Sequence, residues 1–411
     1  MKTNRTSKLH YGYVIVACCC LMMGINTGLT FSCAGIFYQP VSQSLGVPVG
    51  EFGIYMSIMY ITSALMLPLA GKMLERGSAR RLFTLSSLLM GITFAGMSQA
   101  TNVWHFYIAG GVLGITLAFL LYLSFPTLVN RWFHTRVGMM IGICSAASGI
   151  GGMVFNPIAG WIITNFGWRI GYGSFALIII AVVTPLLALL LRDRPEDKGL
   201  LPYGASPSGE AEKKDKTAAK TSGKGVSFAQ ALHMPAFYIT ILFAFLMMGI
   251  STLNLFIPGY VTGHGFSLEH ASLAAAFVMA GVTIGKIALG YINDRNCKAG
   301  VLVTTLAGAA GLSAVTMCGG QMWMILLGAF LFGWAYAGVT VQSAMLTRTA
   351  FGSADYARIY SIVSIALAAG GAIASGGWGL LVDATSYSFI FIAGIIGLLL
   401  CAAAGIIVVK K

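Results

Sequence analysis

The sequence predicts an all-α integral membrane protein. Its twelve transmembrane helices form two pseudo-symmetric six-helix bundles, with both termini cytoplasmic. Three observations predict this. First, 57% of the 411 residues are hydrophobic and 9% are charged, against about 25% charged in a soluble domain. So few charges cannot coat a water-facing surface of this size. Second, the apolar residues fall into twelve runs, each near the roughly 20 residues a helix needs to cross the hydrocarbon core. Third, Lys and Arg crowd into alternate gaps between those runs. The composition excludes an ordinary cytosolic enzyme, a secreted disulfide scaffold and a disordered chain.

In chain order the runs cover about 12–37, 50–71, 82–100, 103–127, 138–160, 169–191, 235–259, 268–291, 299–318, 321–346, 357–379 and 387–409, and helices 1 to 12 take their numbers from them. Period-two alternation is absent, which disfavours a β-barrel. The first run is too long for the apolar region of a cleaved signal peptide. The 52 glycines suit helices packed closely in lipid. The eight cysteines, Cys18, Cys19, Cys20, Cys33, Cys144, Cys297, Cys318 and Cys401, lie mostly inside apolar runs without metal-ligand spacing.

Orientation follows from the basic residues. With the N-terminus inside, the cytoplasmic segments hold 23 of the 25 Lys and Arg residues, including Lys72–Arg81, Arg131 and Arg136, Arg295 and Lys298, Arg348 and Arg358. The outer segments keep Arg169, and Lys286 lies inside a run. The net charge of +13 therefore reflects topology and carries no nucleic-acid inference. The longest hydrophilic stretch, Arg192–Gly225, has a centre of Lys, Glu, Ala, Ser and Gly and reads as a flexible linker. It divides the chain into a first bundle at 1–194, a linker at 195–230 and a second bundle at 231–411. Two rigid halves of this kind alternate access around a site between them.

The halves repeat. Gly71-Lys72-Met73-Leu74-Glu75-Arg76 follows helix 2, and Gly290-Tyr291-Ile292-Asn293-Asp294-Arg295 follows helix 8. Both read Gly-x-x-x-acid-Arg, with further basic residues just beyond. These residues resemble the signature of the major facilitator superfamily, with Glu75 in place of Asp and a degraded second copy. Asn130-Arg131-Trp132-Phe133 with Arg136, Arg194-Pro195-Glu196-Asp197-Lys198-Gly199 and Tyr356-Ala357-Arg358 resemble the oxalate–formate antiporter and bacterial monocarboxylate transporter branch. The resemblance implies a gate on the cytoplasmic side. Glu75, beside Arg76, would meet the start of helix 11 near Arg358; Asp294, beside Arg295, would meet the start of helix 5 near Arg136. A carboxylate at a helix N-terminus is worth about 0.3–1 kcal/mol.

Lys286 is the one formal charge well inside a span. A Lys there costs about 2.5–3.5 kcal/mol on insertion scales. It either snorkels to the cytoplasm or faces a wet cavity. Helical side chains lean toward the helix N-terminus, which here points outward, against snorkelling. All twelve acids lie in loops or at helix ends, so an anionic ligand is the best counter-ion. The resemblance implies the same, since that branch places a basic residue, usually Arg, in this part of helix 8. One cation, with no base in helix 11, suits a single carboxylate and disfavours oxalate.

The resemblance also implies that helices 1, 4, 7 and 10 line the cavity. Their polar groups are Asn26, Thr27 and Thr30; Tyr122; Ser251 and Asn254; Trp334, Tyr336 and Thr340. Tyr122, Tyr336, Asn254, Asn26 and Thr340 join Lys286 as substrate-binding candidates, each of which could instead serve helix packing. His105, His264 and His270 read as surface residues. Gly149-Ile150-Gly151-Gly152 has no strand before it and is not a phosphate loop; it reads as a close-approach segment, with Pro157 ending the straight part of helix 5.

The expected function is secondary transport of a small organic anion, a monocarboxylate, by proton symport or anion exchange. The expected setting is the plasma membrane (the bacterial inner membrane), as a monomer with lipid around it. No catalytic residue, metal, cofactor or nucleic-acid partner is expected. The alternatives are a drug or metabolite exporter of the same fold, which would want a membrane-embedded acid, and a non-transporting sensor, which would want a further cytoplasmic segment.

Overall fold

The computed structural model describes residues 10–205, 225–317, 320–352 and 354–409. The centre of the linker, Cys318 and the terminal lysines lie outside the described residues. Twelve helices among those described are long and apolar enough to span a membrane. They are α1 Gly12–Leu45, α2 Val49–Arg76, α3 Ala79–Ser98, α4 Val103–Trp132, α5 Val137–Phe166, α6 Trp168–Leu190, α7 Pro235–Gly263, α8 Leu268–Arg295, α9 Cys297–Met317, α10 Met322–Phe351, α11 Tyr356–Ala384 and α12 Tyr387–Val409. Their alternation puts the Arg-rich connections on one face, here called the basic face.

Several helices outrun their apolar stretches. α2 and α8 continue through Arg76 and Arg295, so each Gly-x-x-x-acid-Arg signature forms a closing helical segment. α5 stays helical through Pro157 to Phe166. Beside the proline, Asn156 Nδ2 donates to Gly152 O at 2.8 Å.

The first six helices depart from regular α geometry at three places. α1 is π-helical over Met22–Ser32, α4 over Ala118–Leu123 and α6 over Ile179–Val183. α7 instead tightens into a 3₁₀ turn at Thr252–Leu255. Wide and tight turns of this kind re-aim side chains and concentrate at functional sites.

Small residues set the closest packing, as expected where no hydrophobic effect drives helices together in lipid. A Cβ at Gly333 of α10 would sit 2.8 Å from Gly281 Cα of α8. Gly149 and Gly152 of α5 leave room for Thr283 and Met279 of α8, while Gly151 meets Gly24 of α1. The close-approach reading of that glycine segment agrees with this geometry.

Apart from Lys286 of α8, which bonds to α5, the recorded hydrogen bonds that join the first six helices to the last six lie toward the face opposite the basic one. Gln39 of α1 accepts from Thr262 of α7. Along α2 and α11, Gly50 N donates to Asp383 Oδ2 at 2.7 Å, Ser57 Oγ lies 3.0 Å from Ser375 Oγ, and Gly376 N donates to Ser57 Oγ at 2.9 Å. Near the basic face the recorded contacts stay within each set. Tyr203 N donates to Trp132 O at 2.8 Å, and Val226 N donates to Phe351 O at 2.9 Å. Each described end of the linker is thus pinned to its own six helices.

Candidate functional site: a lysine on the seam

Lys286 sits about nine residues, or roughly 14 Å, from the basic end of α8. Its Nζ lies 3.4 Å from Ser145 O and 3.5 Å from Ser148 Oγ, both on α5. The side chain is partly buried and crosses the seam between the two sets of helices. Gly149 permits this by letting Thr283 of α8 close against α5. Ser145 O already accepts from Ser148 Oγ at 2.8 Å and lies within a regular helix, so two long contacts satisfy an ammonium with three donors only in part. The acids nearest in sequence are at the helix ends, where Asp294 is exposed.

Tyrosines from three other helices group together, one of them, Tyr336, two residues beyond Trp334. Tyr60 of α2, Tyr122 of α4 and Tyr336 of α10 lie close enough to interact electrostatically with one another. Tyr122 belongs to the π-helical turn of α4 and is 40% exposed. Tyr60 is 5% exposed and its ring lies 5.4 Å from that of Phe31. Thr340 is exposed one helical turn beyond Tyr336. Trp334 packs its backbone over Gly285, beside Lys286, and its buried indole N–H has no partner among the described residues. A buried donor left unpaired costs about 1–3 kcal/mol. The region therefore offers one cation, phenol hydroxyls and an indole N–H, a donor-rich set suited to an anion.

Sequence reasoning did not single out Tyr60, Ser145 or Ser148. Helix 2 is absent from the set of helices that the resemblance takes as cavity-lining, and two serines in a small-residue helix give no signal of their own.

Two further candidates lie away from Lys286. Asn26 is fully buried, and its Nδ2 donates to Ser87 Oγ of α3 at 3.3 Å, with Thr184 of α6 on the same hydroxyl. It faces the interior of the first six helices, from within the π-helical segment of α1. Asn254 lies in the 3₁₀ turn of α7, next to Leu255, which packs on Gly35 of α1. That turn is about 19 residues, or nearly 30 Å, from the basic end, well above Lys286.

The gate candidates all lie on the basic face. Glu75, Arg76, Asp294, Arg295, Arg136 and Arg358 are exposed. Arg295 stacks on Tyr291, 4.3 Å from guanidinium carbon to ring centre, and Arg358 on Phe228 at 4.4 Å. Arg136 holds a left-handed backbone, φ 61°, at the start of α5, and faces Tyr13 of α1. No ion pair joining Glu75 to Arg358 or Asp294 to Arg136 is present among the described residues. His105, His264 and His270 bond locally at helix ends.

The Major Facilitator Superfamily profile matches residues 19–312. Monocarboxylate transporter 12 of Mus musculus is 25% identical over 300 residues, covering 70% of this chain and 61% of its own length. The MFS-type transporter YhjX of Escherichia coli, itself uncharacterized, is 23% identical over 356 residues, covering 82% and 80%. A bacterial homologue of the human lysosomal transporter Spinster, solved inward-facing and unoccupied, matches with a TM-score of 0.74 at 15% identity over 98% of each chain. The nucleoside transporter NupG matches at 0.71 and 13%, over 98% of this chain and 100% of its own. At these identities the structural likeness is one of fold.

Proposed function

Because the chain belongs to the Major Facilitator Superfamily, we propose that it is a secondary active transporter of a small organic anion, a monocarboxylate. The observation that carries this reading is Lys286, an ammonium well inside the span whose recorded partners are a serine carbonyl and a serine hydroxyl. A carboxylate there would complete the ammonium's bonds and accept from the surrounding phenols. The matching monocarboxylate transporters support the same substrate class.

The two bundles, 1–194 and 231–411, rock about the site. The basic face is cytoplasmic by the positive-inside rule, and the seam closed at the opposite face leaves the site reachable from inside. Glu75 and Asp294 act when that side shuts, Glu75 against the start of α11 and Asp294 against the start of α5. Substrate neutralises Lys286, so the loaded carrier crosses its occluded state more readily than the empty one, in which a bare buried cation is costly. Anion exchange follows directly; proton symport requires the substrate or Lys286 to carry the proton. A thermal-shift screen of small carboxylates on the purified protein tests the reading: carboxylates raise the melting temperature, and matched amides and amines leave it unchanged. Stabilisation by amines alone would overturn it.

A further inference from the structure

α2 and α11 run antiparallel across the seam, so their N-termini lie on opposite faces. A helix start leaves backbone N–H groups without intrahelical partners, and a side chain normally accepts from the second or third of them. α2 has no such cap of its own: Pro48 at its start offers no side-chain acceptor. The acceptor comes instead from the other end of the chain. Asp383, near the end of α11, takes the N–H of Gly50, the second residue of α2, at 2.7 Å. A Cβ at Gly50 would lie 2.6 Å from Gly379 C, so the two backbones approach closely enough for the carboxylate to reach.

The other end of the pair shows the complementary arrangement. Asp355, at the start of α11, makes no side-chain bond to its own helix. Its Oδ2 is turned away and accepts from Phe228 N at 2.7 Å. α11 therefore begins without a side-chain cap while α2 is capped from across the seam. Glu75, near the end of α2 on that same face, is exposed.

We propose that Asp383 is a positioning residue for the transport cycle: a cap, lent by one half to the other, that holds the face opposite the basic one shut. Its partner in the cycle is Glu75. When the seam opens at Gly50 and Gly379, α2 loses the Asp383 cap, and the closing basic face brings Glu75 to the uncapped start of α11. Each helix carries, near its end, an acid for the start of the other, and only one of the two caps is made at a time. The pair thus balances the two states. Losing a cap of ordinary strength changes a two-state ratio by about fivefold.

The test is hydrogen–deuterium exchange on the full-length protein in lipid nanodiscs, without substrate, so that its outcome does not depend on the identity of the transported anion. In Asp383→Ala, amides at the start of α2 and the end of α11 exchange about fivefold faster, and amides at the basic-face ends of α2 and α11 exchange more slowly. Asp383→Asn keeps an acceptor oxygen and the side-chain shape, which preserves folding; it moves both faces in the same directions by less. Opposite signs at the two faces are the signature, because a purely local cap loosens only the first turn of α2. Faster exchange confined to that turn, or no change at the basic face in both variants, overturns the proposal.

Discussion

Lys286 Nζ lies 3.4 Å from Ser145 O, so the formal charge at mid-span on α8 reaches across the seam to α5. Lysine inside a bilayer is costly, and a residue spanning the seam feels any rotation of one half against the other. Charge and hinge geometry meet at one side chain.

The grouped tyrosines should matter through their hydroxyls if the carboxylate reaches from Lys286 to them. Tyr122→Phe and Tyr336→Phe each remove one neutral hydrogen-bonding group, worth about 0.5–1.5 kcal/mol or roughly two- to twelvefold in affinity. Each variant should raise the KM for carboxylate uptake by that factor and leave expression unchanged. Tyr60→Phe tests the residue that the sequence did not mark. Wild-type KM in all three would remove the tyrosines from the site.

The basic-face acids should act on the conformational balance. Glu75→Gln and Asp294→Asn each lose a cap of about 1 kcal/mol in the inward-closed state, moving the ratio roughly fivefold toward inward-open. A cysteine placed at Thr340, which is exposed here, should label faster from the cytoplasmic side. Unchanged labelling would leave these acids as ordinary topology charges.

The fold was legible in the sequence because its determinants are one-dimensional. Run length and Lys/Arg placement predict all twelve helices from α1 to α12, and the duplicated signature marks the symmetry. The site was legible only in part. Lys286 announces itself because a lone charge in an apolar run needs no neighbours to be noticed. The place of Asn26 was not legible because it lies in a π-helical segment, Met22–Ser32, which departs from the regular 3.6-residue register. The depth of Asn254 was not legible because its 3₁₀ turn leaves no mark in the apolar pattern. Ser145, Ser148 and Tyr60 stayed hidden because their relevance comes from which helix faces them.

Small-residue packing sets stability apart from transport. Gly333→Val puts a branched side chain where a Cβ would already sit 2.8 Å from Gly281 Cα. Overpacking of this kind costs about 1–3 kcal/mol, and the purified variant should melt several degrees lower. An unchanged melting temperature would mean that α8 and α10 separate without cost.

Exchange kinetics test the role of the bare cation. Liposomes preloaded with unlabelled substrate should take up labelled substrate well above the rate into empty vesicles, because the loaded carrier reorients faster. If a proton gradient alone drives full accumulation into empty vesicles, and neutralising Glu51 and His105, in the first turns of α2 and α4, abolishes it, a peripheral group serves as the proton site and the exchange scheme fails.

The most direct test is carboxylate binding to Lys286→Ala, measured by thermal shift on purified protein beside wild type. A charged hydrogen bond is worth about 1.5–3 kcal/mol, or roughly 10- to 150-fold in affinity. The account predicts that carboxylates which stabilise the wild type leave a folded, membrane-inserted Lys286→Ala unshifted at the same concentrations. If the variant keeps the wild-type shift and its affinity, Lys286 is not the anion site and the account is contradicted.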